Sequence, residues 1–335
     1  MLLWLIGIIL CLAAGVVSVF MDLSKAEREF TKQASLIQEV LSRRIGSLEV
    51  VLTALVGLHQ ASDEVADVQF STFSEELLGP YPYIRSVLSL RRVSASERPL
   101  LEQMKQDSGY FQFQISELAE QGKLRPAGDR PEYLIIDQIE PLTPKISQLL
   151  GYDAQSNPEF SAAIDAAVRT EQVVASMPTL LLRGSTGLLV FKARYQGRYP
   201  PNTEGERQTM LDGAIAVALD TDAILKGIIP IPARADIFLR YPGSGSIDQV
   251  SRHSMNVEKK DTASVPAYLP VFSYRRVLNI YGQSAVLEIL QQAGMENITA
   301  GWLAADGHVE PSRSDAGNDM GLAKPAHSAG SGAGA

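Results

Sequence analysis

The stretch LLGYDAQSNPEFSAAIDAAVRTEQ, residues 149–172, places a Gly-Tyr-Asp triplet and a polar turn directly before a helix. Asn157 is a favourable N-cap residue, Pro158 suits the first helical position, and Glu159 complements the helix dipole. Four apolar residues then share one face of the helix: Phe160, Ile164, Ala167 and Val168. This periodicity predicts a helix that packs inward, with the triplet in the connection that leads into it.

Asp153 ends this triplet, and two roles are open for its carboxylate. An Asp in a turn commonly accepts hydrogen bonds from nearby backbone amides. Asn157 already caps the helix, however, and Asp153 lies four residues earlier. A carboxylate beside the aromatic ring of Tyr152, at the mouth of a sheet, can instead accept a hydrogen bond from a ligand. The residues alone leave both roles open.

Strand-like segments lie on both sides of this helix. Strands are predicted over residues 83–93, 110–115, 133–141, 187–197, 235–241, 270–282 and 284–290, a helix over residues 94–109, and a strand, a turn and a short helix over residues 213–228. This order predicts an α+β fold and not a series of βαβ units. We place two sheet units at residues 63–212 and 213–299, and we expect the Gly/Ala/Ser-rich residues 300–335 to be disordered.

The chain begins with the uncharged apolar run MLLWLIGIILCLAAGVVSVF, residues 1–20. At about 1.5 Å per residue, this run spans the hydrocarbon core of a bilayer, which is roughly 30 Å thick. A cleaved signal peptide is the alternative, but no Lys or Arg precedes the run. We predict an uncleaved membrane anchor over residues 1–21. The single cysteine, Cys11, lies inside it, which excludes an intrachain disulfide.

A long stalk helix is predicted over residues 22–62. Its apolar residues recur in steps of three and four: Phe30, Ala34, Ile37, Leu41, Ile45, Leu48, Leu52 and Leu55. Such a seam is typical of a coiled coil, and we predict a homodimer through the stalk helix. The same seam fits a helix that buries one stripe against its own domain, and both interpretations stay open.

Composition argues against several function classes. The net charge of −8 comes without a basic run, so nucleic acid is not expected as a partner. Catalytic fingerprints such as HExxH, CxxC and GxSxG are absent from the sequence. The histidines lack metal-ligand partners at helical spacing: His59, His253, His308 and His327. Asp220 and Asp222 are interpreted as caps of a short helix. We therefore predict neither an enzyme nor a metal or cofactor.

Five segments, taken in order, resemble the CHASE domain family (cyclase/histidine-kinase-associated sensory extracellular). They are IEP at 139–141, LGYD at 150–153, AAIDAAVRTEQVVASMP at 162–178, GLLVF at 187–191 with Tyr195, and DGAIAVALDTDAIL at 212–225. With the leading helix and stalk, the resemblance covers roughly residues 22–299. It implies two PAS-like sheets in tandem behind a long helix, with a small ligand held by the membrane-distal sheet, as in the plant cytokinin receptors.

The resemblance also implies a ligand site. The acid of the family's LG-aromatic-D motif corresponds to Asp153, which is expected to accept hydrogen bonds from a ligand beside Tyr152. A backbone contact with the ligand is expected near Ala175, in the strand after the helix. Phe191, in the GLLVF strand, is expected to complete the site.

The chain departs from the family in two places. Ala193-Arg194-Tyr195 stands where an apolar-Pro-Val-Tyr pattern is common. We expect the added charges of Lys192 and Arg194 to face solvent; alternatively, one of them suits an acidic ligand. Family members normally continue through a second membrane helix into a kinase or cyclase, which this sequence lacks. We therefore expect either a sensor without its own output domain or a truncated gene product.

We predict a small-molecule sensor for transmembrane signal transduction. It is expected to be a single-pass protein of the inner membrane with its folded domain in the periplasm. The alternative is a periplasmic scaffold that binds a partner and no small ligand. The sensor needs an enclosed cavity of roughly 300–1,000 Å³ next to Asp153, whereas a close-packed sheet there would favour the scaffold.

Overall fold

The computed structural model describes residues 1–62, 65–119, 123–180, 186–197, 199–228, 235–242, 249–254 and 270–293. Its helices are α1 (Leu2–Ala61), α2 (Asp67–Leu78), α3 (Arg98–Asp107), α4 (Pro158–Thr170), α5 (Glu204–Thr209) and α6 (Thr221–Leu225). Its strands are β1 (Ile84–Ser94), β2 (Ser116–Leu118), β3 (Leu124–Pro126), β4 (Glu132–Glu140), β5 (Val174–Ala175), β6 (Thr179–Leu180), β7 (Thr186–Tyr195), β8 (Leu211–Asp220), β9 (Ala235–Tyr241), β10 (Gln249–Ser254), β11 (Val271–Ile280) and β12 (Gln283–Gln292). The predicted α+β class is confirmed. The predicted disordered tail, residues 300–335, lies outside the described residues.

The predicted anchor and stalk form one continuous helix, α1, of 60 residues. By length and composition its apolar part can cross a membrane, because an 18-residue window has a mean hydropathy of 2.7 and none of that window is buried. It is the one such helix among the described residues. At 1.5 Å per residue the whole helix is about 90 Å long.

The first sheet has six strands in the order β4-β1-β8-β7-β5, with β6 also paired to β7, and all pairings are antiparallel. Strand β8 lies in the middle of this sheet, although we assigned it from the sequence to the second unit. The boundary at residues 212 and 213 is therefore displaced, and the second sheet begins at β9. The segment between β7 and β8, which contains α5, connects two neighbouring strands of this sheet.

The second sheet has four antiparallel strands in the order β10-β9-β12-β11. Three of them coincide with the strands predicted over residues 235–241, 270–282 and 284–290. The fourth, β10, was not predicted and contains His253. A separate two-stranded hairpin, β2–β3, precedes β4.

The first sheet is covered on both faces because side chains alternate along its strands. Leu188 and Val190 of β7 belong to the core shared with α1. Phe191 and Ala193 of the same strand lie in a second core, which also contains the inward residues of α4. The predicted helix with an inward apolar face, α4, is thus confirmed, and it lies on the face opposite the stalk.

The apolar seam of the stalk is buried within the chain. All eight predicted residues belong to one core with both sheets, and Phe30 stacks on Phe272 at a ring-centroid distance of 5.9 Å. Of the two interpretations of the seam, the structure shows burial of the stripe against the chain's own domain. A homodimer stays a prediction, and it would need other residues of the stalk.

Residues 110–115 do not form the predicted strand. A turn closes at Phe113, whose backbone N–H donates to the carbonyl oxygen of Tyr110 at 2.8 Å. Phe113 and Ile115 are buried in a small core beside β4, which accounts for the apolar alternation. Pairing starts one residue later, in β2, so the periodicity reflects burial without a strand partner.

The turn between β11 and β12 joins the second sheet to the first sheet and to α1. The backbone N–H of Ala175 in β5 donates to the carbonyl oxygen of Tyr281 at 2.9 Å, and Gln283 Nε2 donates to the carbonyl oxygen of Ala175 at 3.0 Å. The Tyr281 hydroxyl donates to the Ile45 carbonyl oxygen at 2.9 Å and accepts from the Glu49 N–H at 3.2 Å. The β11–β12 turn of the second sheet therefore contacts both the first sheet and the stalk helix α1.

Arg44 of the stalk holds the segment that follows α6. Its guanidinium donates to the carbonyl oxygens of Ile224 at 2.6 Å, Lys226 at 2.7 Å and Gly227 at 3.3 Å. These carbonyls lie at the end of a helix, where backbone acceptors lack intrahelical partners. Arg44 thus fixes the point at which the chain leaves the first sheet.

Candidate ligand-binding site

The LGYD segment, residues 150–153, is threaded between β2 and β4. Gly151 donates to the carbonyl oxygen of Ile136 at 2.8 Å, and its own carbonyl oxygen accepts from Ser116 at 3.0 Å. Gly151 has φ +83°, and a Cβ atom there would lie 2.6 Å from the Gln114 carbonyl oxygen. Only glycine fits this conformation and this approach without strain.

The Asp153 carboxylate points into the protein, and the side chain has 0% exposure. Oδ1 accepts hydrogen bonds from the backbone N–H of Leu134 at 3.1 Å and of Gln155 at 3.2 Å. Oδ2 pairs with Arg130. Burial raises the pKa of this carboxyl group, although the two backbone hydrogen bonds and the charge of Arg130 oppose the rise. Asp153 therefore performs the turn-stabilising role and also carries an ion pair.

Arg130 links Asp153 to a chain of alternating charges. Its second Nη group pairs with Glu117 of β2, and the other carboxylate oxygen of Glu117 lies 2.7 Å from Arg125 of β3. Burial opposes ionisation of Glu117, but Arg125 and Arg130 outweigh it and lower the pKa of this group. The chain Asp153–Arg130–Glu117–Arg125 thus runs from the buried motif to Arg125, whose side chain is 63% exposed.

A cavity of about 610 Å³ opens beside this chain. Its polar lining includes Gln114, Ser116, Arg125 and Gln148. Ser116 also accepts the backbone N–H of Asp153 at 2.8 Å, so the cavity borders the motif directly. The Asp153 side chain has 0% exposure and does not line the cavity.

Two of the four predicted site residues share a core: Tyr152 and Phe191 are both buried between the first sheet and α4. Tyr152 directly precedes the buried Asp153, which bridges to Ile135 of β4. Phe191 lies on β7, and β1 and β8 separate that strand from β4. Burial raises the pKa of the Tyr152 hydroxyl. Ala175 lies in the core on the α1 face, and both its backbone groups bond to the β11–β12 turn. Ala175 therefore belongs to the junction of the two sheets.

Arg194 departs from the solvent-facing position expected of it. Its side chain is only 8% exposed and lies 2.8 Å from Asp212. Lys192, two residues earlier, is partly exposed. Alternation along β7 turns both residues to the α1 face, and the end of the stalk helix covers Arg194.

Sequence reasoning missed Glu117, Arg125 and Arg130. They lie in a polar stretch without helical or strand periodicity, and their mutual contacts depend on the β2–β3 pairing. The sequence carries one weak signal: two acids, Asp153 and Glu117, are matched by two bases, Arg125 and Arg130. Such a balance is compatible with a chain of ion pairs. The distances that make it a chain come only from the fold.

The comparison with protein families settles the relationship that the five sequence segments indicated. A family model described as "CHASE domain" matches residues 63–247, which is more than half of the chain. The chain belongs to the CHASE family. The match begins just after the stalk helix and covers the whole first sheet with β9 of the second. This CHASE protein therefore carries an extracellular sensor domain behind an N-terminal helix that is apolar and long enough to span a membrane.

One solved structure similar to this CHASE protein is an extracellular ligand binding receptor from Desulfohalobium retbaense DSM5692. The two share 11% sequence identity with a TM-score of 0.45, over 78% of this chain and 40% of the receptor chain. The CHASE protein thus spans less than half of that receptor's length. No match is found among curated proteins.

Proposed function

We propose that this CHASE protein is a membrane-anchored receptor for a small polar molecule that binds beside the LGYD segment. The observation that supports it most is the chain of charges from buried Asp153 to the edge of a 610 Å³ cavity. That volume falls within the range of small-molecule sites, about 300–1,000 Å³. Such an arrangement offers a ligand both hydrogen-bond donors and acceptors.

Binding at Asp153 proceeds in this proposal by exchange of one partner. Oδ1 keeps the backbone hydrogen bonds from Leu134 and Gln155, which hold the carboxylate in place. Oδ2 is occupied by Arg130, whose side chain is 36% exposed and therefore has room to withdraw. A ligand with N–H donors replaces the guanidinium on Oδ2, so the buried carboxylate is never left unpaired.

The signal leaves the site through elements that the structure shows in contact. The turn after Asp153 leads into α4, and β5 follows α4. Ala175 of β5 bonds to Tyr281, whose hydroxyl bonds to Ile45 in the stalk. In this proposal, a ligand that shifts α4 acts on the stalk through this turn and through the packing of β7 against α1.

The experiment is a ligand screen on the full chain in lipid nanodiscs. A metabolite that raises the melting temperature is titrated by calorimetry against the wild type and Asp153→Ala. A hydrogen bond to a charged acceptor contributes about 1.5–3 kcal/mol, so we expect binding to weaken roughly 10- to 150-fold. Asp165→Ala, an exposed acid of α4, is the matched control and should bind as the wild type does.

Arg130→Gln gives a second, opposite expectation. Since Arg130 competes with the ligand for Oδ2, its removal should strengthen binding while it lowers the melting temperature of the free protein. Unchanged affinity in folded Asp153→Ala, or no metabolite bound by the wild type, would contradict the receptor proposal. It would favour the scaffold, which is consistent with the internal engagement of the Asp153 carboxylate.

The remaining parts of the proposal concern location and assembly. We propose a single-pass protein of the inner membrane with a periplasmic domain, without catalytic activity of its own. A homodimer would be formed by stalk residues outside the buried seam. The proposed partner is a small molecule, and nucleic acid is not proposed. A periplasmic reporter fused to the C-terminus should be active, whereas activity of a cytoplasmic reporter would overturn the topology.

A further inference from the structure

A second groove lies where the stalk helix ends, on the face of the first sheet opposite α4. Its volume is about 930 Å³. One wall is the last turn of α1 with His59, and the other is formed by Arg194, Tyr199 and Asp212. None of these residues takes part in the Asp153 chain, so the groove is separate from the site proposed above.

Arg194 is the charged group of this groove. Its guanidinium has five N–H donors. Within the part of the chain that the structure describes, its one ion pair joins Nε to Asp212 Oδ2 at 2.8 Å, without the alignment of a hydrogen bond. The Asp212 side chain is 45% exposed. Among the described residues no carbonyl oxygen accepts from Arg194, in contrast to Arg44, which bonds to three. A buried guanidinium that lines a groove thus has donors that no described residue accepts from.

The backbone makes room for this guanidinium at Gly213. A Cβ atom at residue 213 would lie 2.9 Å from Arg194 Nη2 and 2.1 Å from the Leu90 carbonyl oxygen. Any other residue there would push the guanidinium aside or open the pairing of β1 with β8. Glycine at position 213 of β8 therefore leaves the space that the Arg194 guanidinium occupies.

His59 is neutral and leaves the positive charge to Arg194. Burial first, and the charge of Arg194 second, lower the pKa of His59 to about 4. Its Nδ1 lies 3.2 Å from the Leu55 carbonyl oxygen, which can only accept, so Nδ1 carries the proton. Nε2 then accepts from the Ser89 hydroxyl at 2.9 Å. The imidazole is fixed as a wall of the groove.

We propose that this groove binds a small molecule through its carboxylate, which pairs with the Nη groups of Arg194. A guanidinium presents paired N–H groups that match the two oxygens of a carboxylate. Asp212 balances Arg194 within the groove, so a plain acid would add an uncompensated negative charge. A molecule that also carries an ammonium group offers a partner to Asp212 and to the carbonyl end of α1. Small zwitterionic amino acids therefore suit the groove better than simple acids.

The test uses the full chain in nanodiscs with four probes: glycine, β-alanine, acetate and propionate. Calorimetry should show binding of at least one zwitterion, tighter than that of either simple acid. Arg194→Gln should weaken it at least tenfold. Lys192→Gln removes a charge two residues away in the same strand, outside the groove, and should leave binding unchanged.

A second variant keeps the proposal testable if Arg194→Gln fails to fold. Gly57 lines the groove, and a Cβ atom there meets nothing within 4 Å, so Gly57→Leu places a side chain in the groove without a clash at Cβ. Gly46 has equal space in the same helix but lies away from the groove, which makes Gly46→Leu its matched control. We expect Gly57→Leu to abolish binding and Gly46→Leu to retain it.

Two results would overturn this inference: no binding of any probe to the wild type, or wild-type affinity in folded Arg194→Gln and Gly57→Leu. If simple acids bind as tightly as zwitterions and depend on Arg194, the carboxylate contact stands and the role of Asp212 is wrong. Asp153→Ala should not change binding of these probes, so failure here and failure of the receptor proposal are distinguishable.

Discussion

The hydroxyl of Tyr281 donates a 2.9 Å hydrogen bond to the backbone carbonyl oxygen of Ile45, in the middle of the stalk helix. The same hydroxyl accepts from the N–H of Glu49 at 3.2 Å, so it lies beside one intrahelical hydrogen bond. Burial raises the pKa of Tyr281 to about 12, which keeps the hydroxyl protonated as a donor. Through its backbone, Tyr281 also holds Ala175 of the first sheet.

Tyr281→Phe should therefore loosen the link between stalk and sheets without unfolding either. Ile45 and Glu49 keep each other as helical partners, so the loss should amount to about 0.5–1.5 kcal/mol in the free energy of unfolding. Urea denaturation measures this, and hydrogen exchange at Glu49 should become faster. Tyr199→Phe is the control, since Tyr199 is exposed. Equal exchange at Glu49 in both variants would contradict the link.

Arg44 and Arg43 form a matched pair for the segment after α6. Arg44→Met removes three hydrogen bonds from a charged donor to carbonyl oxygens, which should destabilise the domain by about 1.5–3 kcal/mol. Arg43 is exposed, and its one ion-pair partner among the described residues is Glu39 one turn away, so Arg43→Met should cost less than about 1 kcal/mol. The melting temperatures of the two variants compare them directly; similar values would show that the α6 contact is unimportant.

The stability of the domain should fall in acid because of His59. The folded protein holds the pKa of His59 at about 4, below its ordinary 6.5, with Arg194, Asp212 and Asp137 as the nearby charges. A lowered pKa favours the neutral imidazole in the fold, so the stabilisation is full above pH 6.5 and is lost as the pH falls towards 4. The whole shift corresponds to about 3 kcal/mol, and we expect roughly 1–2 because His59 is only partly buried.

Carboxylates titrate in the same range, so the measurement needs a reference variant. His59→Gln removes the titrating group and should have a shallower slope of unfolding free energy between pH 6.5 and pH 4. Parallel slopes for the wild type and His59→Gln would show that the imidazole doesn't contribute.

Substitutions at Gly151 and Gly109 distinguish the cost of a positive φ from the cost of a steric clash at Cβ. Both have positive φ, +83° and +99°, which costs roughly 1 kcal/mol or more for another residue. A Cβ at residue 151 also meets the Gln114 carbonyl oxygen at 2.6 Å, whereas one at residue 109 meets nothing within 4 Å. Gly151→Ala should therefore lower the melting temperature clearly more than Gly109→Ala. Equal decreases in melting temperature would mean that the LGYD segment shifts at little cost to relieve the clash.

The stalk shows how far the sequence reaches. Each seam residue from Phe30 to Leu55 was predicted correctly, because apolar residues that recur with the helical period lie on the face that is buried. The sequence did not decide what the seam packs against, because a second helix and a sheet both require apolar residues at these positions. The middle position of β8 was missed for a related reason: a strand's sequence records that both its faces are buried but not which strands are its neighbours.

The candidate site was less accessible to prediction. Asp153 was singled out from its place before a capped helix, but its main partner, Arg130, lies 23 residues away in sequence and reaches it only through the β2–β3 hairpin. Arg194 was placed on the correct strand and expected in solvent. The burial of Arg194 depends on the position at which α1 ends, Ala61, relative to β7. No sequence pattern near Arg194 indicates that position.

The length of α1 also sets how far the two grooves lie from the charged membrane surface. With residues 1–21 across the membrane, His59 stands about 57 Å above the lipid surface, because 38 residues rise 1.5 Å each. The charge of anionic headgroups is screened within about 8 Å at physiological ionic strength. Phe30, where the second sheet begins to contact α1, stands only about 14 Å above the same surface. Even this distance exceeds the screening length, so salt and lipid composition should have little effect at either groove, and molecules that reach the grooves sample the bulk solution.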